Sequence, residues 1–301
     1  RQRFGWGGSR GVFWKERPSS FGASSCNMVR VEDLLTWLDA HAPFRYAESW
    51  DRCGLQVGDP HMPVRRVLVA LDPSSGTFFE AQQHECQCLV THHPLLFQPL
   101  TQVRPDQYPG NLLARAIRNE IALVVAHTNL DVSREGTNDQ LAKLLELRDP
   151  DPLQVNPRWE GEAQYLGMGQ VGNLCRAVSL DELVDRLRKL FGSADLRVVG
   201  TPAGKIHRVA LCTGSGGNLV DLAVSRGAHC YITGDLKYHE AQKAIEAGLV
   251  LVDVGHFASE RIVLEPLAKY LESQAKTRKL ELEVLESGLE RDPFTTHRGF
   301  G

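Results

Sequence analysis

The stretch RVLVALDPSSGTFFEAQQHECQCLVTHHP, residues 66–94, decides the fold. Its ends are two short apolar runs, Arg66-Val67-Leu68-Val69-Ala70-Leu71 and Cys88-Leu89-Val90-Thr91, of strand length and rich in Val and Leu. Between them, from about Gly76 to His84, the pattern reads as a helix. Strand, helix, strand in so short a span is a βαβ unit, which makes the two strands parallel and covers the sheet with helices. The second run meets His92-His93-Pro94. Proline has no N–H for a sheet ladder, so the strand stops there and its end carries two adjacent imidazoles.

The same rhythm extends in both directions. Upstream, Val31, Leu34, Leu35 and Leu38 form one helical stripe within Val31 to Ala40. Downstream, Asn111 to Asn119 reads as a helix, Ile121 to Ala126 as a strand ending at His127, and Gly136 to Leu147 as a helix. Asp149-Pro150-Asp151-Pro152 and Asn156-Pro157 mark a linker. A strand over Tyr165 to Asn173 precedes a helix that begins at Ser179, with Glu182 at the capping-box position, and ends at Gly192. Leu196 to Val199 and His207 to Cys212 are strands. The alternation then resumes with helix Asn218 to Ser225, strand Cys230 to Thr233, helix Lys237 to Ala247 and strand Leu249 to Val254. A last helix, Ser259 to Glu272, is interrupted early by Pro266.

Leu68 to His93 and Ala210 to Asp235 match in order and nearly in length. The expected fold class is therefore α/β, with two similar, pseudo-duplicated lobes built on mainly parallel sheets flanked by helices. The boundaries read as a disordered extension over 1–28, a first lobe over 29–150, linker and strand over 151–178, a second lobe over 179–294 and a tail over 295–301.

In 301 residues, 42% apolar and 24% charged side chains suffice for a sizeable core. A formal charge of −3 and no run of Lys and Arg argue against general nucleic-acid binding. No apolar stretch has the length of a membrane span, and residues 1–27 lack the apolar region of a secretory signal. The seven cysteines are scattered, with no C-x-x-C pair, which suits reduced thiols in the cytoplasm.

Three segments share one address, the carboxyl end of an apolar strand. They are His92-His93-Pro94, His127-Thr128-Asn129-Leu130-Asp131 and Gly255-His256-Phe257-Ala258-Ser259-Glu260. In open α/β sheets ligands bind beyond those ends, so the three can converge on one cleft. His256 and Glu260, four apart at the start of a helix, fall on one side of it. The candidate metal ligands are thus His92, His93, Asp131, His256 and Glu260. They are too few to close two cages, but they serve two divalent ions if one carboxylate bridges and water completes each shell. Asp235 and His239, also four apart and also after a strand, suit acid/base duty or support of a ligand; alternatively they are an N-capping Asp and an exposed His. His127 either orients a ligating carboxylate or packs. Cys212-Thr213-Gly214-Ser215-Gly216-Gly217 is either a phosphate-cradling turn or, more simply, a tight βα turn.

These motifs as a set, with Ile232-Thr233-Gly234-Asp235, the early Glu48-Ser49-Trp50-Asp51 and Gly54-Leu55-Gln56-Val57-Gly58, and the late Glu290-Arg291-Asp292-Pro293-Phe294, resemble the NIF-three-like family, also called GTP cyclohydrolase I type 2 homologues. The likeness spans about residues 29 to 294, with Arg52 standing where the family usually has Asn. It implies two interlocked lobes around a dinuclear site in which Glu260 bridges, His93 and Asp131 complete one ion, and His92 and His256 the other. It further implies toroidal homohexamers, and a domain inserted in longer members for which Asp149 to Val178 leaves no room. The implied function is a metal-dependent hydrolase, in its named form attacking a purine nucleotide with metal-activated water. A two-metal phosphoesterase and a non-catalytic metal-binding scaffold are the competing readings. Mixed imidazole and carboxylate ligation admits Zn, Fe, Mn or Co.

Overall fold

A computed structural model describes residues 28–155, 166–192 and 196–295. The N-terminal extension and most of the tail, including His297, lie outside the described residues. In chain order the elements are β1 (Val29–Arg30), α1 (Val31–His41), β2 (Gly54–Val57), β3 (Pro63–Val64), β4 (Arg66–Ala70), α2 (Ser75–Gln83), β5 (Cys88–Thr91), α3 (Gly110–Arg118), β6 (Ala122–Val125), α4 (Thr128–Val132) and α5 (Thr137–Leu144). They continue with β7 (Arg148–Gln154), β8 (Met168–Val178), α6 (Leu180–Phe191), β9 (Arg197–Val199), β10 (Ile206–Ser215), α7 (Val220–Ser225), β11 (Cys230–Gly234), α8 (Tyr238–Glu246), β12 (Val250–Asp253), α9 (His256–Arg261), α10 (Leu264–Thr277) and β13 (Glu283–Glu286).

The strands form two main sheets, ordered β13-β4-β5-β6-β2 and β7-β8-β10-β11-β12-β9. In the first, β13, β4, β5 and β6 are parallel and β2 closes the edge antiparallel to β6. In the second, β10, β11 and β12 are parallel, with β8 and β9 antiparallel on either side. The two parallel triplets, β4-β5-β6 and β10-β11-β12, are the duplication, and each has an antiparallel strand beyond its third member. The second sheet is more mixed than the sequence suggested.

Alternation along each strand feeds two cores per sheet. Val67, Val69, Cys88, Val90 and Val124 face α1 and α10, whereas Leu68, Ala70, Leu89, Leu123 and Val125 face α2 and α3. In the second sheet Val209, Leu211, Ile232 and Val252 pack on α5 and α6, and Ala210, Tyr231 and Leu251 on α7 and α8. Strands buried on both faces read as continuous apolar runs, which is why these were legible.

Three expectations need correction. Residues 148–154 are not a linker but the edge strand β7, paired among the described residues only with β8; Pro150 and Pro152 are tolerated because an edge strand leaves N–H positions unpaired. The lobes also do not divide at 150 and 179. α5 packs on the second sheet through Leu141 and Ala142, while α10 and β13 return to the first through Leu264, Leu267, Leu271 and Val284. Leu264, Leu267 and Leu271 line one stripe of α10, which the first sheet's core takes up, and the lobes are interlocked as a result. Finally, Pro266 does not interrupt the last helix. The break falls at Ile262 and Val263, and Pro266 sits in the first turn of α10, where its missing N–H costs nothing.

Candidate metal centre

The carboxyl ends of β5, β6 and β12 meet between the lobes. His92 and His93 follow β5, Asp131 lies in α4 after β6, and His256 and Glu260 lie in α9 after β12. Their side chains form two overlapping triads, His92–Asp131–Glu260 and His93–His256–Glu260, in each of which the donor atoms lie within 4.8 Å of one another. This grouping differs from the one the family resemblance implied, since His92 pairs with Asp131, and His93 with His256. Adjacent residues at a strand end point in opposed directions, so His92 turns inward to α4 of its own lobe and His93 outward to α9 of the other lobe. The first triad is deep, with side chains at most 10% exposed, while His93 and His256 open the second to solvent at 16% and 33%.

The tautomers follow from the outer contacts. His92 Nδ1 donates to the Ala126 carbonyl at 2.9 Å, His93 Nδ1 to Asp72 at 2.8 Å and His256 Nδ1 to Asp235 at 2.8 Å. Each Nδ1 therefore carries the proton, and each Nε2 brings a lone pair to the centre. There His93 Nε2 and His256 Nε2 lie 3.3 Å apart, and each lies 2.9 Å from Glu260 Oε2. His92 Nε2 faces Asp131 Oδ1 at 3.5 Å and Glu260 Oε1 at 3.7 Å. With each Nε2 unprotonated, His92 Nε2 and Glu260 Oε2 are buried with no hydrogen-bond partner among the described residues. Lone pairs converging on lone pairs inside a protein require positive charge between them.

Protons supply that charge when cations do not. Burial opposes the imidazolium of His93, but its hydrogen bonds to Asp72 and Glu260 outweigh it and push the pKa up to about 10. The hydrogen bond to Glu260 does the same for His256, against burial, to about 9. Burial likewise disfavours a charged His92, yet the charges of Asp131 and Glu260 raise it. Glu260, despite burial, is held well below the usual carboxylate range by His92 and by hydrogen bonds from the imidazoles around it. A divalent cation at either triad would take the place of these protons, and nitrogen and oxygen donors of this kind fit such a cation.

Local sequence explains the fit. Gly214, at φ +67°, stands where a Cβ would lie 2.0 Å from Glu260 Oε1, so only glycine lets β10 pass this carboxylate. Its N–H donates to Ser259 Oγ, that of Gly216 to Thr233 Oγ1 and that of Thr213 to Asn138 Oδ1. The glycine-rich turn is thus spent on close packing, and these N–H groups are not offered to a phosphate. Thr213 Oγ1 donates to Thr137 Oγ1, which donates to Asp131 Oδ1 at 2.6 Å, tying the deep triad across the lobes.

Asp235 is placed on His256 as a support, whereas His239 is exposed and packs its ring on Tyr238. His127 belongs to the cluster instead. Its ring lies 5.1 Å from that of His92 and 5.6 Å from that of His93, and the ring nitrogens of all three come within 4.8 Å of each other. Sequence reasoning missed Asp72, although it follows β4 at the same sheet end; Glu290 holds it there by accepting from the N–H groups of Leu71 and Asp72. Burial pushes the thiols of Cys53 and Cys230 up to about 12, which leaves neither as a nucleophile. An apolar cavity of about 600 Å³, lined by Val57, Met62 and Ile117 among others, lies at the opposite, amino-terminal end of the first sheet.

Comparison with known proteins agrees with this architecture. The family model of Duf34/NIF3 (NGG1p interacting factor 3) matches residues 29–293. A Streptomyces coelicolor protein named GTP cyclohydrolase 1 type 2 homolog is 36% identical over 273 residues, covering 90% of this chain and 95% of its own length. One of the same name from Clostridium acetobutylicum is 33% identical over 266 residues, covering 88% and 98%. The crystal structure of a Staphylococcus aureus hypothetical protein superposes with a TM-score of 0.83 at 29% identity, covering 90% of this chain and all of that one.

Proposed function

This chain belongs to the Duf34/NIF3 family, and from that premise we propose that it holds two divalent cations between its lobes and hydrolyses a small molecule. The names of its relatives point to a purine nucleotide as that substrate. The observation that carries the reading is the convergence of three Nε2 lone pairs on two buried carboxylates, with every Nδ1 already committed. His92, Asp131 and Glu260 would hold the deep ion, and His93, His256 and Glu260 the open one, with Glu260 shared. Zn, Fe, Mn and Co all accept such donors. Cations bound there would supply Lewis-acid polarisation and acidify water toward neutral pH.

The chain's own residues do the rest. Asp72 and Asp235 fix the two outer imidazoles, and Thr137 fixes Asp131. Proton transfer, first expected of Asp235 or His239, falls instead to His127. Its Nδ1 donates to Asp51 at 3.0 Å, which orients the ring and leaves Nε2 without a partner among the described residues, the nitrogen that would meet the substrate. Family likeness supports a toroidal homohexamer. The six described cysteines are all unpaired, which supports a reducing cytoplasm, and among the described residues no helix is long and apolar enough to cross a membrane.

Elemental analysis of protein purified without chelators tests the metal half. Two ions per chain are expected, and almost none in a His92→Ala, His93→Ala variant. Incubating the metal-loaded protein with GTP and assaying formate tests the reaction. Release no greater than that of the double variant removes the cyclohydrolase version.

A further inference from the structure

The early segment Glu48-Ser49-Trp50-Asp51 reaches the metal centre through His127. Asp51 is buried and accepts from His127 Nδ1 at 3.0 Å and from Thr128 N at 3.1 Å, which fixes the imidazole beside His92 and His93 and leaves Nε2 as its second nitrogen. Two apolar rings stand against the same imidazole. Trp50 meets it edge-on at 6.1 Å and 74°, and Phe97 at 5.9 Å and 87°. They come from separate loops, Trp50 ahead of β2 and Phe97 beyond His92-His93-Pro94, both at the carboxyl ends of the first sheet.

Among the described residues neither ring is covered, since Trp50 is 55% and Phe97 44% exposed. Large aromatic side chains are ordinarily buried, and leaving two open around one polar nitrogen fits a ligand rather than a core. An aliphatic chain would leave His127 Nε2 unused, and a phosphate would leave both rings unused. A flat ring with apolar faces and a hydrogen-bonding edge uses all three.

We propose that Trp50, Phe97 and His127 form the recognition site for a planar heteroaromatic ring lying beside the metal pair, with the two rings gripping its apolar surface and His127 Nε2 meeting its polar edge. This deepens the functional reading and rests on it only for the cations alongside.

The test is calorimetric titration of the full, metal-loaded chain with guanosine monophosphate, adenosine monophosphate, ribose 5-phosphate and inorganic phosphate. Both nucleotides should bind roughly tenfold or more tightly than ribose 5-phosphate, the scale of one stacked base. Trp50→Ala and Phe97→Ala should each cut that ratio several-fold, with ribose 5-phosphate affinity and metal content unchanged. Trp50→Phe should restore most of it, and Phe79→Ala, an exposed ring on α2, should change nothing. A ratio near one in the unaltered protein, or a ratio untouched by both alanine variants, overturns the proposal. So does a fall in assembly mass by light scattering with the ratio preserved, because the rings would then be covering a second copy. Ring-dependent binding without formate release from GTP would remove the cyclohydrolase version of the functional reading and leave this one standing. Ring-dependent binding in protein that takes up no metal would remove the dinuclear reading alone.

Discussion

The turns after β6 and β12 carry the same pattern and do different work. Each parallel strand ends at a histidine, a short helix follows, and an acid stands four residues on: His127 and Asp131 in one lobe, His256 and Glu260 in the other. Each histidine donates from Nδ1 to an aspartate, Asp51 or Asp235. Yet His256 and Glu260 point at one another across 2.9 Å, while Asp131 turns to His92 and His127 stands at the aromatic rim. His256 is the first residue of α9, so an i, i+4 spacing brings it over Glu260; His127 precedes α4, with φ −112° and ψ −108°, and lies outside the helical spiral. Spacing in sequence thus names a pair, and helix phase decides whether the pair shares a ligand.

The largest effect that bears on this contrast is expected at the one acid both triads share. Glu260→Gln takes the carboxylate from His92, His93 and His256 together. Both cations should be lost on elemental analysis. Removing one partner of a buried ionic cluster also destabilises by about 3–5 kcal/mol, which thermal melting would register. Two ions retained in this variant would break the assignment of Glu260 as the bridge.

Matched alanines at the two histidines come next. His256→Ala should lose the open ion and keep the deep one, halving the metal content. His127→Ala should keep both ions and lose turnover and nucleotide affinity instead. Equal metal loss in the two variants would mean that both turns ligate and that the asymmetry drawn above is mistaken.

A smaller separation is expected one contact further out. Asp235→Asn weakens the support of a proposed ligand, with an expected effect of about 10–100-fold in metal affinity. Asp51→Asn acts on a histidine placed outside the two proposed triads, so competition with a chelator should show affinity near that of the unaltered protein. Asp51 itself is held charged: burial disfavours the carboxylate, but the His127 and Thr128 hydrogen bonds depress its pKa below the ordinary range. The sign is that of a depressed carboxyl, whose stabilisation is present at neutral pH and is lost only as the pH falls through that lowered value.

How much of this was legible in sequence depends on how local the cause is. The strands β4, β5, β6, β10, β11 and β12 announce themselves because burial on both faces leaves continuous apolar runs, and the three segments that carry the candidate ligands stand at strand ends. The return of α10 and β13 to the first sheet is not local; it depends on which face Leu264, Leu267 and Leu271 find, and their spacing gives a stripe without a destination. β7 hid behind its prolines. The inner pairing was hidden for the same kind of reason: which of His92 and His93 turns inward depends on the pleat at one strand terminus. His239 was open in sequence between a working pair with Asp235 and an exposed ring; α8 begins at Tyr238 and carries the ring to the surface.

The smallest effect reaches the origin of the asymmetry. Gly255 has φ +86° and ψ 147°, a region essentially closed to other residues, and this sharp turn delivers His256 into the first position of α9. The matching position before His127 is Ala126, which has no positive φ and instead lends its carbonyl to His92 Nδ1. At Gly255 a Cβ would meet only Asp292 Oδ2 at 3.9 Å, so Gly255→Ala introduces strain without a clash. The expected loss is about 1–3 kcal/mol, and at about 2–4 °C per kcal/mol for a chain of this size it would lower the melting temperature by several degrees. If the turn is what places His256, the strain relaxes by moving that ring, and the open ion should weaken while the deep ion holds. A Gly255→Ala variant that melts lower but binds both ions as before would show that α9 packing, not the glycine, sets the helix phase.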